Sequence, residues 1–174
     1  MPLYPDLPVV VFSENYLRTL LHDVQVTSLL DVGAGHGGVY DYHHWDAAPL
    51  ARREACDIHW IRPMSAQWTL RLGVDAQQLP YADHAFDVVQ CMEVLEHVED
   101  PRRALEELVR VAKKFVVISS ADETHHQGPE QEAIEKVNVH QKYIRQPRVE
   151  DLQQLGFMVC IGENRRHLFA WKYM

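Results

Sequence analysis

The chain has 174 residues, 47% of them hydrophobic and 24% charged, a balance suited to one globular domain of ordinary size. No apolar run approaches the roughly 18 residues needed to span a bilayer, and the start, Met1-Pro2-Leu3-Tyr4-Pro5-Asp6, lacks the basic opening of a secretory signal. A net charge of −8, with only short basic doublets such as Lys113-Lys114 and Arg165-Arg166, argues against nucleic acid, whose phosphates need Lys and Arg.

In chain order, the prolines Pro2, Pro5 and Pro8 make the opening read as an irregular arm. Ser13 then starts a helical pattern through Tyr16, Leu17, Leu20 and Leu21. Residues 27–32 form a short apolar run ending at glycines, the first strand. Further strands are expected at 52–56, 68–74 and 86–91. Pro101 opens a helix through Val111, with Ala104, Leu105, Leu108 and Val111 on one face. Residues 115–119, FVVIS, make a strand rich in β-branched residues. A short helix at 149–155 stops at Gly156, and strands at 157–161 and 168–171 close the chain.

Strands that alternate with helices imply a parallel sheet with right-handed crossovers. The last two strands are joined too briefly for a crossover, so they should form an antiparallel hairpin. The expected fold is α/β: a Rossmann-like, mostly parallel sheet of about seven strands, with that terminal hairpin and helices on both faces. Residues 1–174 read as a single domain, with 1–26 as an N-terminal arm and helix. Cys56, Cys91 and Cys160 form no CxxC pair and lie in or beside strand runs. They read as small buried hydrophobes in a reducing, cytoplasmic compartment.

The richest segment is LLDVGAGHGG, residues 29–38, at the end of the first strand. Gly33, Gly35 and Gly38 satisfy G-x-G-x-x-G, which alone serves a dinucleotide or merely a tight turn. Asp31 helps to separate the cases. A pyrophosphate disfavours a nearby carboxylate, whereas S-adenosylmethionine carries a sulfonium and an ammonium and no phosphate. Asp31 could also serve only to bond loop amides.

Here the chain resembles the class I S-adenosylmethionine-dependent methyltransferases of the type 11 branch. The matching segments are LLDVGAGHG, residues 29–37, and GVDAQQLPYADHAFDVVQCMEVLEHVEDPRRALEELVRV, residues 73–111. The resemblance implies that Asp31, Gly33, Ala34 and Gly35 line the methionine end of the cofactor. It implies that Asp75 accepts from the adenine amino group, with the amide of Ala76 facing the ring. Cys91, Met92 and Glu93 would pass beneath the cofactor near its sulfonium, and His97 would stand where cofactor and acceptor meet. Asp75 could otherwise be a turn former, and His97 a structural cap. An acid closing the second strand would grip the ribose hydroxyls: Asp57, 26 residues after Asp31, or Glu54 if that strand ends earlier.

Three features depart from the family pattern. Residues 39–46 are aromatic and polar where an amphipathic helix is expected. Pro63 argues against a long helix after Asp57. Lys113-Lys114 stands where the family places a Pro-Gly turn.

Methyl transfer from a sulfonium needs alignment and exclusion of water, with a base only if the acceptor must lose a proton. The catalytic residue is therefore left open, with His97, His125, His126 and Tyr143 as candidates and Glu123 and His140 nearby. His43-His44 and His125-His126 are adjacent pairs that point apart on a regular element, so no metal site is expected. The acceptor is expected to be a small molecule, or a group on a partner that closes the site. Two other readings share the glycine pattern: an adenosylmethionine-binding scaffold without activity, and a nicotinamide-dependent oxidoreductase.

Overall fold

The computed structural model describes residues 7–10, 24–35, 49–59, 61, 64–121, 142–162 and 167–174. The strands are β1 (Val9–Val10), β2 (Ser28–Val32), β3 (Arg52–Asp57), β4 (Trp68–Leu72), β5 (Phe86–Met92), β6 (Ala112–Ala121), β7 (Met158–Gly162) and β8 (His167–Tyr173). Among the described residues two α-helices, α1 (Pro101–Val111) and α2 (Val149–Gln154), and a 3-10 turn, Leu95–His97, accompany them. All eight strands form one sheet, ordered β1-β7-β8-β6-β5-β2-β3-β4. Pairing is parallel except where β8 meets β6 and β7; β7 with β8 is the expected hairpin.

The central strands β2 and β5 are buried at consecutive rather than alternate positions, so both faces are covered there, with Asp31, Asp87 and Gln90 as buried polar residues in otherwise apolar runs. Leu30, Val89, Val116 and Ile118 point to one face, where they meet Leu105 and Leu108 of α1 and Leu152 of α2. Leu29, Val88, Phe115 and Val117 point to the other, with Phe169 and Trp171 of β8. The helical pattern read at residues 13–21 lies outside the described residues.

Asp100 caps α1 by accepting the amide of Arg103, and Pro101 occupies its first turn. The helix then passes into β6 without an intervening loop: Ala112 still donates its amide to Leu108 O, yet already pairs with Phe86. This accounts for the missing Pro-Gly turn. α2 ends at Gln154, and Gly156 turns the chain at φ +82°. β4 stops at Leu72, short of the expected Val74, because Gly73 takes φ +75°. The opening arm is not wholly irregular: Val9–Val10 pairs with Ile161 and Gly162, and Ile161 donates its amide to Pro8 O at 2.9 Å. A proline is tolerated there because β1 is an edge strand.

Candidate functional site

The chain runs outward through β2, β3 and β4, then returns to lay β5 on the other side of β2. The order reverses between β2 and β5, and in open α/β sheets the ligand crevice lies at the carboxyl ends of the strands at that point. Each expected cofactor residue in the described chain sits at the end of β2, β3 or β5 or in the turn that follows β2, β4 or β5.

β2 ends in the glycine turn. Gly33 adopts φ +73°, and a Cβ added there would lie 2.2 Å from Val94 Cγ2. The absent side chain thus makes room for the residue that follows Glu93. The amides of Gly33 and Ala34 donate to Cys56 O at 2.8 and 3.0 Å, and Gly35 N donates to Asp57 Oδ2 at 3.0 Å. The turn is therefore seated on the end of β3. Asp31, one residue before the end of β2, is 2% exposed and lies between Ala55 and Gln90 in the sheet. Its charge, after burial, helps to push the Cys56 thiol up to about 12 and to raise Cys91. All three cysteines are free and buried, and burial raises Cys160 to about 12 as well. Residues 36–38 lie outside the described residues.

Asp57 is the last residue of β3 and binds two segments at once. Its carboxylate takes the amides of Gly35 and of His59, and its carbonyl accepts the amide of Val74 at 3.1 Å. Glu54 does not close the strand: it lies mid-strand, buried, held by Arg52 at 2.6 Å and Arg71 at 3.0 Å. Asp75 follows Val74, and its Oδ1 accepts the amide of Gln77 at 2.8 Å, which shapes the turn. Gln77 Oε1 accepts the amide of Asp100, the α1 cap. Glu107 of α1 accepts the amide of Leu79, and Arg110 donates to the carbonyls of Leu79 and Tyr81. The loop carrying Asp75 and the buried Ala76 is in this way fastened along α1.

At the end of β5, Cys91 is fully buried with its side chain in the core, so only its backbone can meet a ligand. Met92 closes the strand and Glu93 follows at φ +56°, an uncommon conformation for a residue with a side chain. Glu93 donates its amide to Ser119 O at 3.1 Å. Its side chain is 13% exposed, and Oε2 lies 3.5 Å from His167 Nε2. Oε1 is buried with no hydrogen-bond partner among the described residues. Burial, reinforced by the neighbouring Glu96, pushes the Glu93 carboxyl up to about 8. Glu96 is fully buried and accepts from Ser120 Oγ and the Ala121 amide at 2.9 and 3.0 Å.

His97 closes the 3-10 turn, with its ring Nδ1 3.1 Å from Lys142 O. Tyr143 accepts the Gln146 amide at 2.9 Å. His97 thus helps hold residues 142–148 against the 3-10 turn, where Ile144 also donates to Glu96 O, while Tyr143 shapes that segment from within. Glu123, His125, His126 and His140 lie outside the described residues. Among the described residues no group of three or more His, Cys, Asp or Glu is arranged to hold a metal ion.

His167 was not a sequence candidate. It reaches the site because β8 runs antiparallel and starts at the same edge where β5 ends, with β6 between them. Val94, which sets the need for Gly33, was missed for the same reason: each contact joins segments distant in the chain.

The arrangement fits a cationic ligand without phosphate. Asp31, Asp57, Asp75 and Glu93 place four carboxyl groups at or beside one sheet edge, and one buried Glu93 oxygen has no hydrogen-bond partner among the described residues. A pyrophosphate seated on the glycine turn would meet the Asp57 carboxylate that holds the Gly35 amide. No helix among the described residues is long and apolar enough to cross a membrane.

The comparisons with known proteins agree with this geometry. A family model described as a methyltransferase domain matches residues 30–118, just over half of the chain. The chain is 28% identical over 127 residues to the glycine/sarcosine/dimethylglycine N-methyltransferase of Actinopolyspora halophila. That match covers 63% of this chain and 21% of the relative, so the chain spans about a fifth of that protein's length. Among solved structures, it resembles an S-adenosylmethionine-dependent methyltransferase from Mesorhizobium loti, with TM-score 0.63 and 14% identity over 92% of this chain and 96% of that one. It also resembles a Haloferax volcanii complex of a methyltransferase with its Trm112 activator, with TM-score 0.61 and 18% identity over 85% and 82%. At these identities the two structures show a shared fold. From the matched segment, which runs from β2 into β6, the chain belongs to the methyltransferase-domain family, on its class I Rossmann-like sheet.

Proposed function

We propose that this chain is an S-adenosylmethionine-dependent methyltransferase acting on a small-molecule acceptor by direct in-line displacement. The supporting observation is that Asp57 joins the glycine turn, through Gly35, to the Asp75 turn, through Val74. Groups suited to the two ends of one sulfonium nucleoside are thereby tied to a single sheet edge.

In this reading Asp31, Gly33, Ala34 and Gly35 hold the methionine end, Asp57 the ribose hydroxyls, and Asp75 with Ala76 the adenine. Cys91, through its backbone, with Met92 and Glu93 forms the floor beneath the sulfur. When bound, the cofactor supplies a methyl group already activated by a positively charged sulfur. The protein's part is then to align the acceptor and exclude water. His97 and Tyr143 border the acceptor side through residues 142–148. His125 and His126 remain candidates there from sequence alone.

The small-molecule acceptor is supported by the family relative, whose name gives glycine, sarcosine and dimethylglycine as its substrates. Residues 1–174 are read as one such domain, placed in the cytoplasm on the strength of three buried free thiols. Calorimetric titration with adenosylmethionine, its demethylated product and NAD tests the binding, and a labelled methyl donor offered with a panel of small acceptors tests turnover. Binding of NAD without response to adenosylmethionine would reject this function. Donor binding with no transfer to any acceptor would favour a scaffold of the same fold.

A further inference from the structure

We propose that Glu93 reads the charge at the sulfur position, so that the site favours the sulfonium donor over its neutral demethylated product. This rests on the donor-binding reading above and assigns one of its residues a selective role. Two acids are buried side by side at the end of β5. Glu96 has both oxygens taken, by Ser120 and by the amide of Ala121. Glu93 is less completely matched: the Ser119 hydroxyl and the Glu96 carboxyl lie beside its carboxyl and Oε2 faces His167, while Oε1 is sealed from solvent with no hydrogen-bond partner among the described residues.

A buried carboxyl oxygen left unmatched is costly, and such groups persist where a ligand completes them. The position suits that ligand. Val94, the next residue, packs on Gly33, so Glu93 stands one residue from the turn expected to hold the donor's amino-acid end.

The titratable groups facing Glu93 are Glu96 from the 3-10 turn and His167 from β8; Ser119 of β6 receives its amide, and the Ser119 side chain bonds the carboxyl and partly opposes the rise. Burial and Glu96 favour the neutral acid, so near neutrality the carboxyl of the ligand-free protein is mostly protonated. A cation placed beside it reverses that preference: the proton leaves to solvent and the carboxylate meets the positive charge. A thioether offers no such gain.

The test is calorimetry on the full chain with three ligands: adenosylmethionine, its demethylated product, and an analogue carrying an amine in place of the sulfonium. For the wild type, affinity for the two cationic ligands should rise between about pH 6 and the Glu93 value of about 8, then level off. Their binding should release protons, seen as heats that depend on the buffer, whereas product affinity should stay flat. Glu93→Gln should abolish the slope and the proton release, and lower the donor-to-product affinity ratio about tenfold. Glu93→Asp should restore part of the slope. If Glu93→Gln weakens all three ligands alike, or the slope survives it, Glu93 does not read charge, and the proposal falls while donor binding stands. If the folded wild type binds none of the three, the donor-binding reading fails and this proposal with it.

Discussion

At the scale of single residues, the glycine turn shows how a recognisable pattern can have an unrecognisable cause. Gly33 is conspicuous in the sequence as the first glycine of a loop after a strand. Its necessity comes from Val94, whose Cγ2 would lie 2.2 Å from an added Cβ, and from a φ of +73°. Gly33→Ala is expected to cost about 2–4 kcal/mol in urea denaturation, from backbone strain and overpacking together. Adding Val94→Ala should recover only the overpacking part, because the strain stays. Asp57 was legible as the acid closing β3, but its double grip on Gly35 and Val74 was not, since that depends on where two other strands end. Asp57→Asn should weaken adenosylmethionine binding by about tenfold or more in calorimetry, by removing a charge-assisted acceptor.

At the scale of elements, α1 and the β7–β8 hairpin were readable because period and length settle them. The helix observed is the one expected from Pro101 to Val111. Two elements were less readable, for different reasons. β1 has two residues beside prolines and exists only because β7 offers it a free edge. β6 begins three residues earlier than its β-branched run, through Ala112, Lys113 and Lys114, because β5 and the last turn of α1 hold them extended. α1 also fastens the loop beyond β4 through Arg110, which donates to Leu79 O and Tyr81 O and pairs with Glu107 and Asp83. Arg110→Ala should destabilise the protein by about 1–2 kcal/mol, since these are hydrogen bonds from a charged group that is partly exposed. Hydrogen exchange should quicken across residues 76–85 more than in β6. Equal change in both would mean the loop does not depend on the helix.

For the whole molecule, two kinds of buried acid set opposite responses to pH. Burial raises Asp87, but bonds from Thr27 and the Lys114 charge outweigh it and hold the carboxyl below its usual range. Arg110 holds Glu107 low in the same sense. Such groups contribute stability above their unfolded pKa of about 4, and it is lost as pH falls through their lower folded values. Glu93 acts the other way. Its folded value of about 8 lies above the ordinary 4.5, so its contribution is full below the latter and is lost as pH climbs through the former. Ligand-free protein should therefore lose stability to urea between about pH 5 and pH 8, and Glu93→Gln should flatten that limb. A wild-type curve level over this range would remove Glu93 as a buried neutral acid.

The direct passage of α1 into β6 leaves no spare chain between the last helical turn and the strand that carries Ser119, Ser120 and Ala121. A side chain's face in a strand is set by whether its position is odd or even. One residue inserted after Val111 would therefore either unwind the helix by part of a turn or send Phe115 and Val116 to exchange faces. In the second case the Ser120 and Ala121 donors would leave Glu96. Drift at this junction would thus erase the site without touching any residue that lines it.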